Sequence, residues 1–204
     1  MVQHSLITYA YNVSANSLKP RLQNTQMFTW LANRFRSRRK ARELYGAVVA
    51  QARNPAFYRA FGVADTPDGR YELVALHLGL LLNRLGRPDI ADPALARRTF
   101  ETFVTDMDGN IREMGAGEPS VPRRVKRAAG GVHDRALNLR AALARPDDDA
   151  LDAALVAQVY QGVENLAAPR LARYVRAATA HLGGLPATAL YQGSALFPLP
   201  EATP

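Results

Sequence analysis

The chain has 204 residues, 48% apolar and 22% charged, which is enough for one domain with a substantial core and too apolar for a disordered chain. It has no cysteine, which excludes disulfides, thiolate-held zinc, iron–sulfur clusters and thiol nucleophiles, and its four histidines (His4, His77, His133, His181) lack the spacing of a metal-binding helix. The formal charge of +8 is concentrated: residues 1–42 hold eight basic residues and no acid, while 43–204 balance at 18 of each.

Residues 1–26 are polar and aperiodic. They read as an extension ahead of the folded chain or a misassigned start, with an organelle transit peptide as the weaker alternative because arginines are few. No apolar run approaches the ~20 residues that span a bilayer, so a soluble or peripheral protein on the cytosolic side is expected. Arginine dominates over lysine and alanine is abundant, which points to a GC-rich, bacterial coding sequence.

A helix is expected from Phe28 to Arg53, with Phe28, Leu31 and Phe35 on one face and Tyr45, Val48, Val49 and Ala52 forming a second apolar patch. Between them Arg34, Arg36, Arg38, Arg39, Lys40 and Arg42 surround the helix and do not share one side. This single-sign run is the expected contact with an anionic membrane surface or with RNA.

Asn54-Pro55 starts a short helix that ends near Gly62, and Thr66-Pro67 starts another that runs to Leu85. The latter is apolar almost all round, as a central buried helix must be. Asp92-Pro93 opens a helix whose stripe of Phe100, Phe103, Val104, Met107, Ile111 and Met114 requires it to continue through Gly109, at about 1 kcal/mol relative to Ala. Ser120 or a neighbour starts the next, with a core face of Val125, Ala129, Val132, Ala136, Leu139 and Leu143. Pro146 to Asp149 starts a helix with the stripe Leu151, Leu155, Val159 and Val163, which Pro169 breaks or restarts, and Gly183-Gly184 ends it. The proline-rich stretch beyond is expected to be irregular.

Asp106-Met107-Asp108-Gly109-Asn110 has the look of a calcium loop, but Ile111 and Gly117 stand where such a loop needs glycine and a bidentate glutamate. Asp106, Asp108, Asn110, Arg112 and Glu113 instead make the polar side of a helix, read either as a solvated face or as a recognition surface. Arg123, Arg124, Lys126 and Arg127 crowd the first turns of the next helix, where cations oppose the helix dipole, so they serve a partner or nearby acids. His77 lies within the core helix and reads as a satisfied structural histidine. No cofactor, metal or catalytic residue is expected.

The stretch Gln51-Ala52-Arg53-Asn54-Pro55-Ala56-Phe57-Tyr58, then Asp65-Thr66-Pro67-Asp68-Gly69-Arg70-Tyr71-Glu72-Leu73, resembles the ubiquinol–cytochrome c chaperone family. So does Phe103 to Gly115, in which Asp106-Met107-Asp108 and Arg112-Glu113-Met114-Gly115 are the specific part, followed by Ser120-Val121-Pro122 and the basic run. The resemblance covers roughly residues 40–180. It implies an α-helical, non-enzymatic assembly factor that holds newly made cytochrome b, beside the ribosome and with a second assembly protein in mitochondrial members.

The expected fold is all-α, one helical bundle of about six to eight helices. Residues 1–26 form the extension, 27–42 the basic segment leading into the first helix, 43–185 the chaperone-like domain and 186–204 an irregular tail. The expected partners are cytochrome b or another nascent membrane protein, an anionic membrane or ribosome surface and a second assembly protein, with no DNA. Asp106, Asp108, Asn110, Arg112, Glu113, Arg123, Arg124, Lys126 and Arg127 would meet client or partner. The location would be peripheral to a bacterial inner membrane, or the mitochondrial matrix for a eukaryotic source. A basic helical RNA-binding protein is the alternative, and a small helical enzyme with a polar pocket at His77 or His133 is the least favoured.

Overall fold

Proline sets most of the helix starts. The computed structural model describes residues 24–115, 117–193 and 195–200, with side chains from residue 37 onward. Expectations for residues 1–23 and for the Arg34 and Arg36 side chains lie outside these. The helices are α1 (Asn24–Ala52), α2 (Pro55–Arg59), α3 (Pro67–Leu85), α4 (Pro93–Glu113), a 3₁₀ turn (Glu118–Ser120), α5 (Val121–Leu143), α6 (Asp149–Gln158), α7 (Ala168–Gly184) and α8 (Ala187–Gln192). No strand occurs among the described residues, and the fold is all-α.

Three starts are capped as their sequences require. Asn54 Oδ1 accepts from the Ala56 amide at 2.9 Å, Thr66 Oγ1 from Gly69 at 3.1 Å and Asp92 Oδ1 from Leu95 at 2.9 Å. Each is followed by proline, whose missing N–H costs nothing at that position. Gly69 has a further reason: a Cβ there would lie 2.0 Å from the Ala64 carbonyl oxygen.

α3 is the central element and packs against α1, α4, α5 and α7. Leu73, Leu78, Leu81 and Leu85 are fully buried, together with Leu44 and Val48 of α1, Phe103 of α4, Val132 of α5, Leu151 and Leu155 of α6, and Leu171 and Val175 of α7. α3 and α5 approach closely at Gly79, where a Cβ built on the glycine would meet the Ala136 Cβ at 3.4 Å. α4 runs unbroken through Gly109.

His77 is completely buried in a cluster of rings. Its centroid lies 5.2 Å from Phe57 and 5.0 Å from Phe197, and Phe57 lies 5.0 Å from Tyr174. Nδ1 is 2.7 Å from the Leu73 carbonyl, which can only accept, so Nδ1 carries the proton and Nε2 accepts from Tyr174 Oη at 2.8 Å. Burial pushes this imidazole down to about 4, against the partial support of the Leu73 carbonyl.

Two segments differ from the sequence expectation. The stripe of α6 stops at Val159: Gln161 (φ 55°) and Gly162 (φ 79°) enter the left-handed region and turn the chain, which leaves Val163 68% exposed. The tail is not wholly irregular. α8 runs from Ala187 to Gln192, ends at Gly193 with φ 69°, and packs on α1. Leu190 within it and Leu196 and Phe197 beyond it are buried, and Gln51 Nε2 donates to both the Pro198 carbonyl and Tyr174 Oη at 2.9 Å.

Candidate functional site

The end of α1, α2, the first turns of α3, the second half of α4 and the first half of α5 enclose an open groove of about 1030 Å³. Val49, Tyr58, Tyr71, Val74, Met107, Ile111 and Met114 supply its apolar surface. The α4 stripe explains this. Phe103 is fully buried, Ile111 is 7% exposed and Met114 is 61% exposed, so one amphipathic face passes from core to groove along a single helix. Gly115, at φ 75°, then reverses the chain before α5 can cover the last turn.

Arg53 and Arg59 stand on one side of the groove, and Arg124 and Arg127 on the facing helix. None of the four makes an ion pair among the described residues. Asp65, Asp68, Asp106 and Glu113 are the acids of the lining, and Arg70 is tied to Asp65 at 2.7 Å.

Two polar arrangements hold the walls. Tyr45, 6% exposed on α1, donates from Oη to Asp106 Oδ2 on α4 at 2.7 Å, and Asn110 Nδ2 donates to the same oxygen at 3.2 Å. Burial, reinforced by the carboxylate bond, pushes the Tyr45 phenol far up, so it stays a donor at any physiological pH. On the other wall Arg135 of α5 forks onto Glu72 of α3, Nε to Oε2 at 2.6 Å and Nη2 to Oε1 at 2.5 Å. Burial lifts the Glu72 carboxyl above the usual carboxylate range even with this guanidinium in place. Arg135 also donates to the Gly131 carbonyl at 3.1 Å and lies 5.5 Å from the Tyr71 ring centroid, while Tyr71 Oη donates to the Ala128 carbonyl at 2.9 Å.

The residues expected to meet a partner divide between two sides. Asp106, Asn110, Glu113, Arg124 and Arg127 come together on the groove. Asp108 and Arg112 are absent from its lining: Arg112 donates to Asp108 at 2.8 Å and to Glu118, an exposed network that solvent screens. Arg123 and Lys126 are exposed and also outside the lining. In the basic run Arg38, Arg39 and Arg42 are exposed, Arg39 pairs with Glu43 one turn on, and Lys40 Nζ sits 4.6 Å from the Tyr191 ring centroid of α8.

Sequence reasoning missed Arg53, Tyr58, Tyr71 and Val74 as groove residues and took exposed Met114 for core; Val49 and Met107 pack against the core as the apolar pattern requires and line the groove as well. Periodicity reports that a face is apolar, not what covers it. The available signal was that Asn54–Tyr58 and Asp65–Leu73 belong to the same family-like stretches as Asp106–Met114.

The lining contains no histidine, serine, threonine or lysine, and no three-member group of metal-type ligands occurs among the described residues. His77, the internal histidine, is closed off by rings. An open apolar surface edged by Arg53, Arg59, Arg124 and Arg127 suits the holding of a chain segment. No described helix is long and apolar enough to cross a membrane.

The family model for ubiquinol–cytochrome C chaperones matches residues 59–197. The crystal structure of the Cbp3 homolog from Brucella abortus is similar with a TM-score of 0.76 and 31% identity, over 87% of this chain and 99% of that one. No curated protein matches the chain.

Proposed function

The chain belongs to the ubiquinol–cytochrome C chaperone family, a family of chaperones for assembly of that reductase, and we propose that its groove holds a segment of newly made cytochrome b. The observation that carries this reading is the uncovered end of the α4 stripe. Partly buried Met107, buried Ile111 and exposed Met114 carry the core face out to the groove, which Val49, Tyr58 and Val74 also line. A nascent membrane protein offers apolar helices that need such a surface until they reach lipid or a subunit partner. Catalysis is not required for this role, and the lining carries no nucleophile–base pair.

In this account the basic run Arg34 to Arg42 keeps the chaperone beside an anionic membrane surface, at about 1 kcal/mol per favourably placed charge. Replacing Arg34, Arg36, Arg39 and Lys40 by glutamine is expected to reduce flotation with vesicles containing anionic lipid, and unchanged flotation defeats this part. A second assembly protein would use the exposed network of Asp108, Arg112 and Glu118 with Arg123 and Lys126, outside the groove.

The direct test is co-precipitation of cytochrome b with tagged chain in cells lacking the native gene. Wild type is expected to bring down cytochrome b and restore reductase assembly. Met107→Asp with Met114→Asp is expected to lose both while the protein still unfolds cooperatively. Full client recovery by the folded double variant overturns the reading.

A further inference from the structure

A second hollow, of about 710 Å³, lies between α1 and α4, lined by Arg38, Arg42, Tyr45, Arg98 and Glu101 among others. It is not separate from the first. Val49, Arg53 and Asp106 line both, and Asp106 at the junction has its carboxylate held by Tyr45 and Asn110. Along α1 and the turn that follows it, Arg38, Arg42, Val49 and Arg53 succeed one another at spacings of four, seven and four, which keeps them near one face over about 22 Å, or four turns.

The new end of this channel is short of acceptors. Among the described residues Arg38 and Arg42 make no ion pair, and Arg98 Nε is buried without a hydrogen-bond partner. A buried N–H on a charged group without an acceptor is costly. The acids of this hollow already have partners, Glu101 in Arg97 and Asp106 in Tyr45 and Asn110, so an anionic group brought from outside would supply the missing acceptor. The far end offers the same chemistry in Arg124 and Arg127, with the apolar stretch in between.

We propose that the two hollows form one track for an amphipathic helix about four turns long, with apolar residues facing Val49, Met107 and Met114 and with carboxylates at both ends, one set reaching Arg38, Arg42 and Arg98, the other Arg124 and Arg127. This rests on the reading of the groove as a client site and adds the charge pattern and length of the segment held. It also moves Arg38 and Arg42 from the membrane-facing role of the basic run to the rim of the binding site. A single small molecule would leave most of so long and open a channel unfilled.

The test uses the full chain and three fluorescein-labelled helical peptides of 18 residues, identical on their leucine face and carrying glutamate, glutamine or lysine at both ends. Anisotropy is expected to rank glutamate first, with glutamine about tenfold weaker and lysine weaker still, and to show the glutamate peptide weakening as salt rises. Arg42→Glu and Arg127→Glu, both at exposed positions, are each expected to cost about tenfold with the glutamate peptide. The double variant is expected to regain binding with the lysine peptide, a reversal that loss of fold cannot produce. Arg140→Glu, at an exposed position outside both linings, is the control and leaves binding unchanged. Equal affinity for the glutamate and glutamine peptides overturns the proposal, as does an Arg42→Glu variant that binds like wild type while Arg127→Glu does not. If cytochrome b is still captured through Met107 and Met114 in either of those cases, the client reading stands and only the continuous track falls.

Discussion

The two long sides of α3 meet very different surroundings. One side carries His77 into the ring cluster of Phe57, Tyr174 and Phe197, where every polar atom is answered internally: Nδ1 by Leu73, Nε2 by Tyr174 and Tyr174 in turn by Gln51. The other side carries Tyr71 and Glu72 to the groove wall, where Arg135 anchors Glu72 and an arginine rim faces open space. Stability is concentrated in the first region and, on the proposed function, recognition in the second. Substitutions should therefore separate unfolding from binding, and those in the rings should do so most strongly.

Phe57→Ala removes a fully buried ring from that cluster and is expected to cost about 3–5 kcal/mol in urea unfolding. A loss under ~1 kcal/mol would mean that the rings are not the structural centre.

The second expected effect is on pH. The unfolded chain carries an ordinary histidine near 6.5, while folded His77 sits at about 4, so between those values the unfolded state takes up a proton that the folded state excludes. Stability is thus complete above pH 6.5, falls by about 3 kcal/mol as pH drops to 4, and gains no further histidine penalty below that. His77→Gln should flatten this part of the profile. A variant slope equal to wild type would place the titration elsewhere.

Tyr45→Phe keeps the ring and deletes the bond to Asp106, for an expected loss of about 1–2 kcal/mol. Because Asp106 lines both hollows, the same change should weaken client capture more than its stability cost explains, and equal effects on both would make Tyr45 purely structural. Met114→Ala is the smallest expected perturbation of the fold, within about 0.5 kcal/mol at a 61% exposed position. It should nevertheless lower client recovery.

The sequence was most legible where local chemistry decides the outcome. Asn54-Pro55, Thr66-Pro67 and Asp92-Pro93 mark helix starts because a side-chain oxygen and a proline solve the orphan-donor problem within four residues. The all-round apolar pattern of Leu73 to Leu85 marks a buried helix for an equally general reason. Legibility failed where distant segments decide. Val163 continues a perfect stripe, yet Gln161 and Gly162 turn away from the helix before it. α8 forms among prolines because Leu190 has α1 to pack on. The site was half legible: charge marked Asp106, Asn110, Glu113, Arg124 and Arg127, but their facing each other across the groove, with Asp108 and Arg112 turned elsewhere, depends on how α4 and α5 meet. Met114 shows the same limit, since a stripe has the same spacing whether a helix or a client covers it.

The central claim is that the uncovered end of the α4 stripe is the holding surface. It is tested most directly by a photo-crosslinking amino acid placed at Met114 in the groove and, in a parallel sample, at Leu166, which is fully exposed and outside the groove lining. With cytochrome b synthesised in the presence of each protein, the account predicts a cytochrome b adduct from position 114 and none above background from position 166. Equal adducts from both positions, or an adduct from 166 alone, would contradict it.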